Sequence, residues 1–205
     1  MEVQRKSLTQ LFVPICFEIL FYMLAGMVDT LMLSSVSDQA VGAVGTANTY
    51  IGVFIIMFGV ISSGMVAVMT QNIGAGKPGI AYQARQLGLL FNAIIGVLMS
   101  VFLAFFSGNI LKIVSIAPAL LEPAETYLKI VGGACFLNAL IPIFSCYLRV
   151  FGYTKQSLFA SVVGNVINFV LNAVFLYVMN LGVMGVAAAT VISRVINLII
   201  VAVMG

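Results

Sequence analysis

Long apolar runs alternate with short polar clusters along the chain. The runs occupy 8–34, 40–72, 81–107, 126–148, 157–179 and 182–205. A helix that crosses a bilayer takes about 20 residues, so each run is long enough to span. The pattern predicts an all-α fold, a polytopic membrane bundle of six transmembrane helices. Breakers punctuate the runs: Gly74-Ala75-Gly76-Lys77-Pro78-Gly79, Phe151-Gly152-Tyr153-Thr154-Lys155 and Asn180-Leu181-Gly182. No loop is long enough to hold a soluble catalytic domain, so the chemistry lies between helices.

The second run reads as one long helix or as a tight hairpin of two, because no charge occurs between Asp38 and Lys77. Charge bias favours the single helix. Arg5, Lys6, Lys77, Arg85, Arg149 and Lys155 then share one membrane face, and only Lys112 and Lys129 oppose them. The positive-inside rule makes the basic face cytoplasmic, with both termini on it. The first run follows Arg5 and Lys6, yet it is too long for a secretory signal and lacks a small-residue cleavage site.

Composition narrows the class. Hydrophobic residues make up 62% of the 205 residues, charged residues 7%, and mean hydropathy is +1.19. A soluble domain carries about 25% charge, so this chain cannot cover a water-facing surface. The net charge of +3 is spread over six spans and makes no nucleic-acid patch. Cys16, Cys135 and Cys146 lie in apolar runs without metal-ligand spacing, and there is no His. These features predict neither a disulfide framework nor a zinc site, and they leave any proton chemistry to carboxylates. An intramembrane enzyme would need clustered Asp, Glu or His, which the sequence lacks.

Polar residues inside the runs are the candidates for function, because lipid makes them costly. Asp29 and Glu18 sit eleven residues apart in the first run. That spacing is three turns plus about 20°, so both carboxylates face the same way. Asp29 reads as a proton or cation site, or else as a hydrogen-bonded packing residue or helix cap. Glu18 reads as a lining residue of a water-filled cleft. In the fifth run Ser161, Asn165, Asn168 and Asn172 follow i, i+4, i+7 and i+11, a single stripe that must face protein or water. It reads as interhelical glue or as a cavity lining. The sixth run opens with small residues from Gly185 to Ala189, suited to close approach to the fifth, and then places Thr190, Ser193, Arg194 and Asn197 on one face. Arg194 requires a carboxylate, an aqueous cavity or a snorkelling route to the membrane face. In the second run Gly42, Gly45, Thr49, Gly52, Gly59 and Ser63 recur about every 3.5 residues, which predicts a seam for tight helix packing and sliding.

These residues resemble the N-terminal lobe of multidrug and toxic compound extrusion (MATE) transporters. The likeness rests on Pro14, Val28-Asp29-Thr30, Ala40-Val41-Gly42-Ala43-Val44-Gly45 and Thr70-Gln71-Asn72-Ile73-Gly74-Ala75-Gly76. It continues through Leu148-Arg149-Val150-Phe151-Gly152, the asparagines of the fifth run, and Gly185 to Ser193. The resemblance implies a plasma-membrane antiporter, not an enzyme. A proton or sodium ion would drive export of amphipathic, often cationic, organic compounds, with no other cofactor. It places the coupling site on Asp29, Asn168, Asn172 and Thr190, with Glu18, Asn165 and Arg194 lining the cavity. Some members carry an aspartate where this chain has Asn172, so the site here is expected to hold a single carboxylate. The family is built of two six-helix lobes. Residues 1–205 are therefore expected to form one lobe, working with a second lobe or a second copy. A related lipid-precursor flippase and an inactive fragment are the alternatives.

Overall fold

A computed structural model describes residues 6–205, with the side chains of all but residues 22 and 25. Arg5, counted above on the basic face, lies outside the described residues. Seven helices follow in order: α1 (Leu8–Ser34), α2 (Asp38–Gly74), α3 (Pro78–Ile113), α4 (Pro118–Gly132), α5 (Cys135–Val150), α6 (Thr154–Val178) and α7 (Gly182–Met204). Five of them are individually long and apolar enough to cross a membrane. The pair α4 and α5, bent by 44° at their junction, is together long and apolar enough to count as a sixth.

Local chemistry explains most boundaries. Ser7 and Gln10 form a reciprocal capping box at the start of α1. Ser37 accepts from the Ala40 amide at the start of α2. Pro78 and Pro118 open α3 and α4, where a missing N–H costs nothing. Gly76 and Gly152 turn the chain with φ of +71° and +86°, a region that favours glycine. The second run is one continuous helix of 37 residues. At 1.5 Å per residue it is about 55 Å long, well beyond the hydrocarbon core of about 30 Å.

The fourth span departs from its expected range, 126–148. It begins earlier, at Pro118, and breaks where Gly132 and Gly133 meet. The last turn of α4, Leu128–Gly132, is π-helical. Such a turn inserts a residue and re-aims the chain. Packing holds the break in place, since a Cβ on Gly132 would lie 2.9 Å from Leu103 Cβ.

The core sits among α2, α3, α4 and α5, around Ile51, Phe58, Leu103, Leu128 and Val131. Asn92 on α3 is fully buried there and donates to Ala139 O (2.9 Å), Ser62 Oγ (3.3 Å) and Phe58 O (3.4 Å). One amide thus ties three helices. Close approach of α3 and α5 needs Gly96, whose Cβ would fall 2.7 Å from Ala139 Cβ. The small residues opening α7 do meet α6: a Cβ on Gly185 would lie 2.9 Å from Phe175 Cβ.

The seam expected on α2 is not a packing face within this chain. Its buried face is the neighbouring stripe Ala43, Ala47, Ile51, Phe58, Ser62 and Met65. Gly45, Gly52 and Gly59 have nothing within 4 Å of an added Cβ, and Thr49 and Ser63 are exposed. Only Gly42 touches a neighbour, Leu120. The reason is energetic. The stripe with Ile51, Phe58 and Met65 buries far more apolar area than a row of glycines, so it faces the core.

Helix α1 is the outlier. It lies along α6 and leaves Phe12, Leu24 and Met27 more than half exposed. Polar contacts along its length hold it to α5 and α6.

Candidate functional site

Those contacts define two regions. At the end of the bundle that carries the basic residues, Lys6 Nζ donates to Gly152 O at 2.7 Å. One turn beyond Pro14, Glu18 Oε1 pairs with Arg149 Nη2 at 2.6 Å. Ser157 Oγ lies 3.2 Å from each Glu18 oxygen and donates to that carboxylate. The C-terminus of α5 and the first turn of α6 deliver these partners. Arg149, read above as a topology signal, is therefore also the counter-ion of Glu18.

Three turns further along α1, Asp29 has a different shell. Asn172 Nδ2 donates to Asp29 Oδ1 at 2.8 Å. With its amide oriented to satisfy both of its ends, Asn168 donates to Oδ1 at 2.9 Å and to Oδ2 at 3.1 Å. Both amides are buried and sit one turn apart on α6, so the helical period alone aims them at one carboxylate. Among the described residues Asp29 makes no ion pair. Asn172 Oδ1 is buried without a hydrogen-bond partner. Thr190 does not join this shell directly, because its hydroxyl donates at 2.9 Å to Val186 O on its own helix. A threonine inside a helix often satisfies itself this way, which the spacing of residues cannot exclude.

Both carboxylates border one cavity of about 250 Å³, lined by residues of α1, α2, α5, α6 and α7. The sequence-derived candidates Glu18, Asp29, Asn165, Asn168, Thr190 and Arg194 all line it, and so do Ser161, Ser193 and Asn197. Asn172 is the exception; it reaches the site through Asp29. On its other side Asp29 borders a smaller cavity of about 130 Å³, with Asn48 and Tyr127. Sequence reasoning missed Tyr127 and Asn138. Asn138 is 9% exposed and lines the larger cavity. A lone amide between Leu137 and Ala139, four residues before Pro142, was the available signal. Tyr127 had none, since a tyrosine near the start of a span is ordinary.

Among the described residues no three His, Cys, Asp or Glu side chains gather to hold a metal. A polar cavity among apolar, membrane-capable helices, with carboxylates and amides converging on it, is the candidate site. The MatE family model matches residues 14–174, and the chain belongs to this family of transporters. It is 36% identical over 197 residues to an uncharacterized transporter, YisQ, of Bacillus subtilis, covering 94% of this chain and 43% of the relative. It is 29% identical over 209 residues to the probable multidrug resistance protein NorM of Thermotoga maritima, covering 94% and 42%. A solved MOP superfamily transporter from Pyrococcus furiosus has the same fold, with a TM-score of 0.87 at 22% identity, covering 95% of this chain and 43% of that one. The chain thus spans less than half the length of the relatives it matches.

Proposed function

We propose that the chain acts as one six-helix lobe of a cation-coupled antiporter that exports amphipathic organic compounds. Asp29 is the coupling residue in this reading. A proton, or a sodium ion, binds at its carboxylate and changes its bonding to Asn168 and Asn172. The observation that carries the reading is the shell of Asp29: a half-buried carboxylate with amide donors, no cation within ion-pair distance among the described residues, and the unpaired Asn172 Oδ1 beside it. A carboxylate whose bonded partners are amides, with no cation bonded to it, can bind a proton or offer oxygens to a cation. Thr190 lines the same cavity and contributes an oxygen without donating to Asp29. Gain or loss of the ion biases α1, the least buried of the helices, between two positions on α6.

A second lobe, or a second copy, completes the export path on the face where the glycines of α2 lie open. The basic end faces the cytoplasm of a plasma-membrane protein, with both termini there. The test is dye accumulation in everted vesicles bearing the chain alone or joined to a second lobe, with an imposed proton or sodium gradient. Gradient-driven transport that survives Asp29→Asn undiminished removes Asp29 from the coupling role.

A further inference from the structure

The exposed face of α3 shows where a bilayer would end. From Leu87 to Phe106 every exposed side chain is apolar, whereas Tyr82, Gln83 and Gln86 precede that band and Asn109 and Lys112 follow it. At 1.5 Å per residue the band is about 29 Å long, which matches a hydrocarbon core of about 30 Å. Arg85 lies two residues outside the band, at the end of the bundle that carries Lys6, Lys77, Arg149 and Lys155. That is headgroup depth, and exposed Tyr82, one turn away, is an aromatic of the interfacial kind. The guanidinium lies over the Tyr147 ring of α5, 4.0 Å from its centroid, with the Phe144 ring at 5.5 Å. Arg85 is half-buried, and its Nε is closed off there without a hydrogen-bond partner. Among the described residues no carboxylate lies within ion-pair distance of it, and neither Nη atom has an acceptor. Arg85, Phe144 and Tyr147 do not line the cavity of Asp29.

We infer that Arg85 and Tyr147 form a headgroup site for an anionic phospholipid, with its phosphate on the Nη edge and its acyl chains along the apolar band of α3. An aromatic face engages the flat side of a guanidinium and leaves the in-plane N–H groups free, and these take phosphate oxygens in pairs. The occupant is a lipid because the apolar band begins within two residues of the cation. It is an anionic lipid because a zwitterionic headgroup brings its own cation, which competes with Arg85 for the phosphate. An arginine that only snorkels to water would not distinguish between the two headgroups.

Titrating lipid into the purified chain in dodecyl maltoside micelles tests this, read by native mass spectrometry and by thermal unfolding. Dioleoylphosphatidylglycerol should bind at least about fivefold more tightly than dioleoylphosphatidylcholine, the weight of one cation at an anionic surface. Arg85→Gln should remove that preference. Arg85→Lys should keep only part of it, since the charge stays and the flat fork is lost. Lys77→Gln, at the same end of the bundle, should leave it unchanged; an equal loss there would reveal a diffuse basic surface and overturn the proposal. Equal binding of the two lipids to the native chain overturns it too. Glycerophosphoglycerol and inorganic phosphate at millimolar concentration should not raise the melting temperature. A rise as large as the lipid gives would make the occupant a soluble phosphate, which overturns the lipid assignment. Should Arg85→Gln yield no folded protein, Arg85→Lys decides alone, and an undiminished preference in it counts against the stacked guanidinium as the site.

Discussion

Helix α1 carries two carboxylates on one face, and their surroundings differ. Glu18 has a formal counter-ion at 2.6 Å and a hydroxyl on both oxygens. Asp29 has buried amides and, among the described residues, no cation within ion-pair distance. Both border the same cavity, so location alone does not separate them. Partnership does. The pair with Arg149 and the Ser157 hydroxyl tie Glu18, and with it α1, to α5 and α6. On the proposed reading the basic-end cluster is a clasp, and the Asp29 cluster is where a cation would act.

The sharpest way to break this division is to neutralise each carboxylate in turn. Asp29→Asn should abolish gradient-driven dye accumulation, a drop of about tenfold or more, because the amide cannot take or release a proton. Its thermal unfolding in detergent should shift little, since an amide still bonds to Asn168 and Asn172. Glu18→Gln should do the reverse. It leaves Arg149 without a counter-ion and costs about 1.5–3 kcal/mol of stability. Dye accumulation scaled to folded protein should remain. A double-mutant cycle with Arg149→Gln separates the pair energy from the penalty of the orphaned charge. If Glu18→Gln stops transport without loss of stability, the two roles are not divided as described.

A third substitution asks whether the frame behind the clasp is as rigid as the close approach of α3 and α5 implies. An alanine at Gly96 places its Cβ 2.7 Å from Ala139 Cβ and 3.0 Å from Phe136 Cα. One of those neighbours is backbone, so the helices must part, at a cost of about 1–3 kcal/mol. Gly45→Ala on the open face of α2 meets nothing within 4 Å and should be neutral in the isolated chain. The difference in melting temperature between the two variants measures the contrast. Loss of stability from Gly45→Ala would show that the seam packs in this chain after all.

The sequence alone carried the helical stripe of α6 and the shared face of Glu18 and Asp29, because both follow from a period of 3.6 residues. The long apolar stretch of α2 was likewise readable from the absence of charge. Three features were not legible. Arg149 lies 131 residues from Glu18, and no local pattern announces a pairing across that distance. The glycine row on α2 shows that a face is smooth, but not which side of the helix meets the core; that depended on Ile51, Phe58 and Met65 alongside it. The bend between α4 and α5 arises from the contact of Gly132 with Leu103, a packing event between helices. For Asp29 the sequence named the right helix faces, and only geometry showed that Thr190 spends its hydroxyl on Val186.

The smallest expected effect gives the finest test of the comparison. Ser157 supplies the hydroxyl contacts on Glu18, at 3.2 Å and partly buried. Ser157→Ala should cost about 0.5–1.5 kcal/mol, the ordinary worth of such a bond. In the Glu18→Gln background it should cost clearly less, because its charged acceptor is gone. The corresponding change at the other site is Asn172→Ala, which removes the 2.8 Å donor to Asp29. Here the melting temperature should move by a similar amount, yet dye accumulation should fall as well. Two polar deletions of equal structural weight would thus differ only in transport. Should Ser157→Ala reduce accumulation as much as Asn172→Ala, then Glu18 belongs to the coupling machinery, and α1 works with two active carboxylates instead of one.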